Sequence, residues 1–486
     1  MKLIRSFPFH SFLIIPYLSI FIYSININVL EFSMLYRTLI WGCIFTSVIL
    51  LFSYFIFSKK ILKAGFYTSL LIVILFSYGL VYDYLEILYF KNLWPFKNIH
   101  RYLIFSYFFL IVLVFVKTLR SKRTFLKFNL IVNCTLFGLI LWNFISITFF
   151  ASEQIPQLKL VREKSVFLNS KAIHTPDIYY FILDGYAGQK VLKKYYNYDN
   201  SDFSNFLVRK GFYFADSSCS NYYSTYPSLG ATLNLEYNNG DINYVEKLKN
   251  NLVFQILKKN GYVIYTLNSG YTVSNNFNNV DYPMKIDGPN EFERAILRYS
   301  FLRIDDLVGV IPYIRLKSQL NELKKFNPQT KNPKFLFSHI VCPHPPFVFD
   351  RKGDRRTKNS FGDNSWEPLN CYLDQLIYLN SQIREIVTSI LDKYKNKEQP
   401  IIIIQSDHGP FVTNKYPENI FDARSHIFNA FYINMNDSLY PSISSVNTFR
   451  YVFKYGLGLN IDLTKDSLKG KTDFCNSVQF QNLLIK

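Results

Sequence analysis

The sequence predicts a helical transmembrane region of about five spans followed by an α/β extracytoplasmic domain with a doubly wound, mainly parallel sheet. Three observations carry this expectation. The first 151 of 486 residues are crowded with long apolar runs separated by short basic loops. From Pro176 onward, short apolar runs alternate with amphipathic stretches, as strands alternate with helices. Two of the short runs, Ile178–Leu183 and Ile401–Gln405, lead into Asp184-Gly185 and Ser406-Asp407-His408-Gly409. Polar residues at a strand's C-terminal end mark the ligand-binding edge of an open α/β sheet.

The long apolar runs are Phe12–Ile27, Thr38–Phe57, Phe66–Tyr82, Tyr102–Val116 and Leu130–Ala151. Each is near the ~20 residues needed to cross a bilayer. Pro16 lies in the first, and the fourth is short. No small-residue cleavage site follows the first run, which therefore reads as a signal anchor.

Charge gives the orientation. Lys59, Lys60 and Lys63 occupy the second loop, and Lys117, Arg120, Lys122, Arg123 and Lys127 the fourth. The third loop mixes Asp83 and Glu86 with Lys91, Lys97 and Arg101. Basic loops stay in the cytoplasm, so an odd number of spans places everything after Ala151 outside. The expected location is the inner (plasma) membrane, multi-pass. The net charge of +19 alone would suit nucleic acid, but no basic stripe interleaved with aromatics lies on a soluble module, so no nucleic-acid partner is expected.

The chain then divides into a transmembrane region at 1–151, a juxtamembrane connector at 152–175 and a globular domain at 176–486. The connector reads equally as an amphipathic surface helix or a plain linker. In the globular domain the expected strands are Ile178–Leu183, Phe212–Ala215, Val263–Leu267, Phe335–Val341, Ile401–Gln405 and Ala430–Ile433. Helices are expected over Tyr244–Lys259, closed by Gly261, and over Asn370–Tyr394. Cys219, Cys342, Cys371 and Cys475 fall in a compartment that permits disulfides, with Cys342–Cys371 a conceivable pair. No C-x-x-C pattern offers thiolates to a metal.

Asp184, Asp407 and His408 are metal-ligand types at strand ends, able to converge on one ion. A third element is Thr225-Tyr226-Pro227-Ser228, where Pro227 suits the first turn of a helix. Thr225 then lies at a helix N-terminus, where free N–H groups favour an anion. It is either an ordinary cap or a hydroxyl that a metal activates towards phosphorus. Ser224 precedes the pattern, and Ser228 is expected inside the helix, bonded locally. Further on, His344 stands between prolines after a strand, while His339 within the strand reads as a satisfied core histidine.

In this order, Asp184-Gly185, Thr225-Tyr226-Pro227-Ser228 and Ser406-Asp407-His408-Gly409 resemble the metal-and-nucleophile signature of the alkaline phosphatase/sulfatase superfamily. Thr-x-Pro-Ser stands where sulfatases carry Cys-x-Pro-Ser-Arg, and Ala231-Thr232-Leu233 continues the pattern. With its N-terminal spans the chain is similar to the membrane-anchored branch, which includes lipoteichoic acid synthases and phosphoethanolamine transferases. The resemblance implies a nucleophile at Thr225 and a divalent metal (Mn, Zn or Mg) held by Asp184, Thr225, Asp407 and His408. It also implies a substrate-side role for His344: binding a phosphoryl oxygen, protonating the leaving alkoxide or holding a second metal. Arg424 reads as a phosphate clamp or a solvated loop arginine, and His426 as a further substrate-side or second-metal candidate.

The sequence departs from sulfatases where Thr225 replaces the cysteine that becomes formylglycine and Leu229 replaces the arginine. Sulfate-ester hydrolysis is therefore not expected. The expected activity is transfer of a phosphoryl-linked head group, phosphoglycerol or phosphoethanolamine, from a membrane lipid donor to a glycan or lipid acceptor. A phosphodiesterase or phosphatase using water is the alternative. A catalytically silent scaffold would not need all four residues.

Overall fold

The computed structural model describes residues 2–27, 30, 32–90, 99–154, 170–238, 244–271, 274–303, 309–356, 366, 368–412, 420–434 and 438–467. The chain forms two compact units. One comprises Met1–Leu160 with Pro289–Asp306, the other Val161–Gly288 with Leu307–Lys486. Most of the connector read at 152–175, and Cys475, lie outside the described residues.

The first unit is helical: α1 (Lys2–Ser6), α2 (Phe9–Ile25), α3 (Leu35–Ile56), α4 (Ile61–Phe90), α5 (Ile99–Arg120) and α6 (Leu126–Gln154). Four of these, α3 to α6, are long and apolar enough to cross a membrane. With 17 residues, α2 spans roughly 25 Å at 1.5 Å per residue, short of the ~30 Å hydrocarbon core. Trp41, Phe52, Phe105, Phe108 and Trp142 are exposed on these helices, a surface that only lipid would cover without cost. The helix break before Pro8 is satisfied by side chains: the Asn129 and Asn133 amides donate to the carbonyls of Ile4 and Phe7. That is what backbone freed from a helix requires in an apolar medium.

The second unit is built on a seven-stranded sheet in the order β2-β7-β6-β1-β5-β3-β4. The strands are β1 (Ile178–Leu183), β2 (Tyr213–Phe214), β3 (Val263–Leu267), β4 (Tyr282–Met284), β5 (Lys334–Ile340), β6 (Ile401–Gln405) and β7 (Asn429–Tyr432). Strands β6, β1, β5, β3 and β4 run parallel, and β7 and β2 add an antiparallel edge. Every residue of β1 and β6 is buried, as expected of central parallel strands covered on both faces.

The expected strands are present to within about two residues, and β4, which the sequence did not reveal, is added. It is three residues long and contains Pro283, tolerated because the strand lies at the edge. The expected helix over Tyr244–Lys259 is two helices, Tyr244–Lys249 and Leu252–Lys259. Asn251 ends one and caps the next, its Oδ1 accepting from Phe254 N at 2.9 Å. Cys342 follows β5, Cys371 lies in the first turn of the helix Leu369–Lys393, and no disulfide joins them.

Candidate metal and nucleophile centre

Three parallel strands deliver the site to one end of the sheet. Ile182 of β1 pairs with His339 on one side and Gln405 on the other. Continued by two residues, that register sets Asp184 beside Asp407. The period of two keeps both on the face that His339 occupies. After Asp184 the chain turns at Gly185, with φ +69°, where a Cβ would lie 2.5 Å from Trp366. A Cβ on Gly409 would lie 2.0 Å from the Ala423 carbonyl, so both turns need glycine.

The side chains converge. His408 Nε2 lies 3.3 Å from Thr225 Oγ1, 3.4 Å from Asp407 Oδ2 and 3.6 Å from Asp184 Oδ1. His339 Nε2 is 3.3 Å from Asp184 Oδ2. One ligand atom each from Asp184, His339 and Asp407 lies within 4.8 Å of the others. All five residues are at most 4% exposed, so water does not screen them.

The structure thus brings Asp184, Thr225, Asp407 and His408 together and adds His339, which the sequence alone left as a core histidine. Its signal was positional: it lies one pleat short of the same sheet edge, visible only once the β1–β5 register is known.

The donor set fits a divalent cation. Asp184 Oδ1, His339 Nε2 and Asp407 Oδ2 are buried without a hydrogen-bond partner. Each such atom costs about 1–3 kcal/mol, and more when charged. His408 Nδ1–H donates to the Gly409 carbonyl at 3.0 Å, which turns the Nε2 lone pair towards the carboxylates. Ser274 Oγ donates to Tyr271 O, so His339 Nδ1–H donates to Ser274 Oγ at 2.8 Å and frees its Nε2 in the same way. Carboxylate oxygens, imidazole nitrogens and a hydroxyl suit Zn or Mn better than Mg.

Electrostatics point the same way. Burial and the Asp184 charge push the Asp407 carboxyl up to about 7. Burial acts to raise Asp184 too, but the imidazoles of His344, His339 and His408 outweigh it and hold that carboxyl below its usual range. Burial, with the Arg424 cation nearby, drives the His408 pKa well down, leaving a neutral ring free to ligate.

Thr225 opens the helix Thr225–Asn234, with Ser224 extended at the N-cap. Ser228 Oγ, inside the helix, is bonded back to Ser220 Oγ at 2.9 Å and Tyr222 O at 3.1 Å in the segment that precedes it. Ser224 Oγ is buried without a partner. Of the three hydroxyls, Thr225 is the one within reach of His408. His344, half-buried, donates its backbone N–H to the Asp184 carbonyl, and its ring lies 6.3 Å from that of His408. Its Nδ1–H is spent on Pro345 O at 2.8 Å, so Nε2 remains for a substrate.

Arg424 departs from both readings of the sequence. It is 2% exposed, and its guanidinium is committed to backbone: Nε and Nη2 donate to Tyr223 O and Nη1 to Gly409 O. The cation also lies 4.0 Å from the Phe411 ring centroid. Arg424 thereby braces the loop before Thr225 against the turn after His408. Arg424→Ala is expected to strip the buried Tyr223 carbonyl of its Arg424 donors and leave Gly409 O to His408 alone, costing about 1–3 kcal/mol in stability. It should lower turnover about 10–100-fold, as loss of second-layer support does. Arg424→Lys, lacking the planar fork, should recover only part of either. Unchanged melting temperature and turnover in Arg424→Ala would remove this role. His426 bonds through Nδ1 to Asp422 O at 2.9 Å, with Asp422 Oδ1 at 3.2 Å. Its partners among the described residues, Asp422, Ser425 and Cys219, all lie outside the buried cluster.

The Sulfatase family model matches residues 177–430, from the start of β1 into β7. The chain belongs to the sulfatase family. It is an enzyme of that superfamily and a membrane protein, its sulfatase domain preceded by apolar helices. No curated protein matches the sequence. Among solved structures, the chain is similar to the integral membrane lipooligosaccharide phosphoethanolamine transferase A of Neisseria meningitidis. That match has a TM-score of 0.43 at 11% identity over 96% of this chain and 97% of that one. It is also similar to the periplasmic domain of phosphoethanolamine transferase EptC from Campylobacter jejuni (TM-score 0.40, 16% identity, 60% and 93% covered). A phosphonate monoester hydrolase of Agrobacterium radiobacter gives 0.40 at 12% identity, with 62% and 77% covered.

Proposed function

We propose that this protein is a membrane-bound, metal-dependent transferase that moves a phosphoryl-linked head group, phosphoethanolamine or phosphoglycerol, from a lipid donor to a glycan or lipid acceptor. One observation carries the reading: Thr225 Oγ1 stands at a helix N-terminus, 3.3 Å from His408 Nε2, in a buried cluster with unsatisfied carboxylate oxygens. A hydroxyl so placed is a nucleophile for phosphorus. Thr225 in place of cysteine rules out the formylglycine chemistry of sulfate-ester cleavage.

Asp184, Asp407, His408 and Thr225 would hold the divalent ion, with His339 beside them. Bound there, the ion would lower the pKa of the Thr225 hydroxyl and offset charge on the phosphoryl oxygens. In the first half-reaction Thr225 Oγ1, ionised with its proton released to solvent, bonds to phosphorus and the bond from phosphorus to the lipid alkoxide breaks. His344 Nε2–H protonates that alkoxide, releasing diacylglycerol. In the second, neutral His344 takes the proton of the acceptor hydroxyl, which displaces Thr225 from phosphorus. The helix N-terminus contributes N–H groups to the phosphoryl oxygens throughout.

Acceptor dependence tests transfer. Diacylglycerol is expected to appear in step with labelled acceptor, with little head-group phosphate released to water. Release of free head-group phosphate at the same rate with and without acceptor would make the protein a hydrolase.

The sidedness follows from the basic loops and is supported by residues 289–303. These pack on α2 near Ile22 and Tyr23 and on α3 near Leu35, at the ends opposite Lys59 and Lys60. A membrane-impermeant protease, applied with any outer barrier opened, should cleave the sulfatase domain in otherwise intact cells. Cleavage only after lysis would reverse the orientation.

A further inference from the structure

The chain of the sulfatase domain leaves its own unit at Gly288 and returns at Leu307, and the intervening residues belong to the helical unit. Residues 289–303 of this excursion are described, and their attachment is built from four kinds of contact. Helix Glu291–Arg298 starts in a capping box, Asn290 Oδ1 accepting from Glu293 N and Glu293 Oε2 from Asn290 N. Its apolar side, Phe292 and Ile296, is buried among Ile22, Tyr23 and Leu35. On its polar side Glu293 Oε1 meets Arg37 Nε at 3.0 Å.

The backbone of the excursion comes equally close. Gly79 N–H donates to Tyr299 O at 2.9 Å, and a Cβ on Gly79 would lie 2.0 Å from the Arg298 carbonyl. Arg303, its side chain 4% exposed, donates to Asp83 Oδ1 at 2.6 Å and lies 4.4 Å from the Tyr82 ring centroid. Breaking this pair would leave the buried guanidinium charge uncompensated, so the contact is costly to lose.

We propose that residues 289–303 are a hook that anchors the catalytic unit to the membrane helices through a second attachment besides the connector. Arg303 and Gly79 are then positioning residues for reaction on a membrane-embedded donor. The second statement rests on the lipid-donor reading above; the first does not. Without the hook, one stretch of chain joins the units. With it, the chain crosses between them three times, which narrows the positions the active site can take relative to lipid.

Two measurements on the full-length protein keep these apart. A specific protease site placed in the connector is cut in membranes, and the membranes are washed in high salt. The catalytic fragment is expected to sediment with the membranes in the wild type and to enter the supernatant in Gly79→Leu and Arg303→Ala proteins that retain their metal. Release of the wild-type fragment, or retention of both variant fragments, would overturn the hook. Intact variants are then assayed on a phosphoethanolamine lipid in vesicles and on a soluble chromogenic phosphodiester. The vesicle rate should fall roughly tenfold or more while the soluble rate stays at wild-type level, with partial recovery in Arg303→Lys, which keeps the charge opposite Asp83. Equal losses on both substrates, or none on either, would contradict the positioning role. A wild type inactive on the vesicle lipid would instead defeat the donor reading and leave the fractionation result standing.

Discussion

An Asp407→Ala enzyme is expected to fold, to purify with its divalent metal largely gone, and to lose turnover by more than about 100-fold. Outer partners of metal ligands alone are worth about 10–100-fold, so an inner carboxylate should be worth more. Metal analysis of Asp407→Ala and His408→Ala proteins checks this, and full occupancy with full activity would place the site elsewhere.

The same residue makes a pH prediction. In metal-free protein the Asp407 carboxyl, at about 7, lies above its ordinary 3.8. Between those values the folded form holds a proton that the unfolded chain has released. This contribution to stability is therefore complete below about 4 and is lost as pH rises through about 7. Asp184, held low, has the opposite sign: its contribution is present above the ordinary carboxylate pKa and lost as pH falls below it. Metal binding must displace the Asp407 proton, so affinity should climb as pH rises and level off above about 7. Melts from about pH 5 to 8 should show the metal-free protein weakening with pH while the metal-loaded protein does not. Parallel profiles would mean that Asp407 does not titrate with the site.

Thr225→Ala is expected to lower turnover on the order of 10³-fold or more while leaving fold and metal content close to wild type, because three protein ligands and His339 remain. Thr225→Ser keeps the attacking oxygen and should retain measurable rate. The neighbours discriminate. Ser228→Ala loses hydrogen bonds to Ser220 and Tyr222 and should reduce stability more than chemistry. Ser224→Ala removes a buried hydroxyl that has no partner and should be near neutral. Normal turnover by Thr225→Ala would end the assignment.

Much of this site was legible because the signals were local. A short apolar run ending in an acid and a glycine identifies a strand end without knowledge of neighbours, and both Asp184 and Asp407-His408 were found that way. Thr225 was found from Pro227, which marks a helix start. His339 was not, because its role depends on pairing with Ile182 across β1 and β5, which no local pattern carries. Arg424 was expected to face phosphate or solvent. Its actual work, joining Tyr223 to Gly409, needs two loops about 200 residues apart to meet. The excursion at 289–303 was likewise invisible as such: Phe292 and Ile296 are four residues apart on one helix face, but nothing local says that the face meets α2 and α3. For α2, the apolar run was evident while its length, 17 residues, emerged only with the helix ends.

The central claim is that Thr225 forms a covalent bond to the transferred head group. The most direct measurement is the mass of the peptide carrying Thr225 after metal-loaded protein is incubated with donor lipid in the absence of acceptor. The account predicts a head-group phosphate adduct mapped to Thr225, absent from Thr225→Ala and discharged when acceptor is added. An adduct on Ser224 or Ser228, or brisk turnover with no adduct on this peptide under any quench, would contradict it.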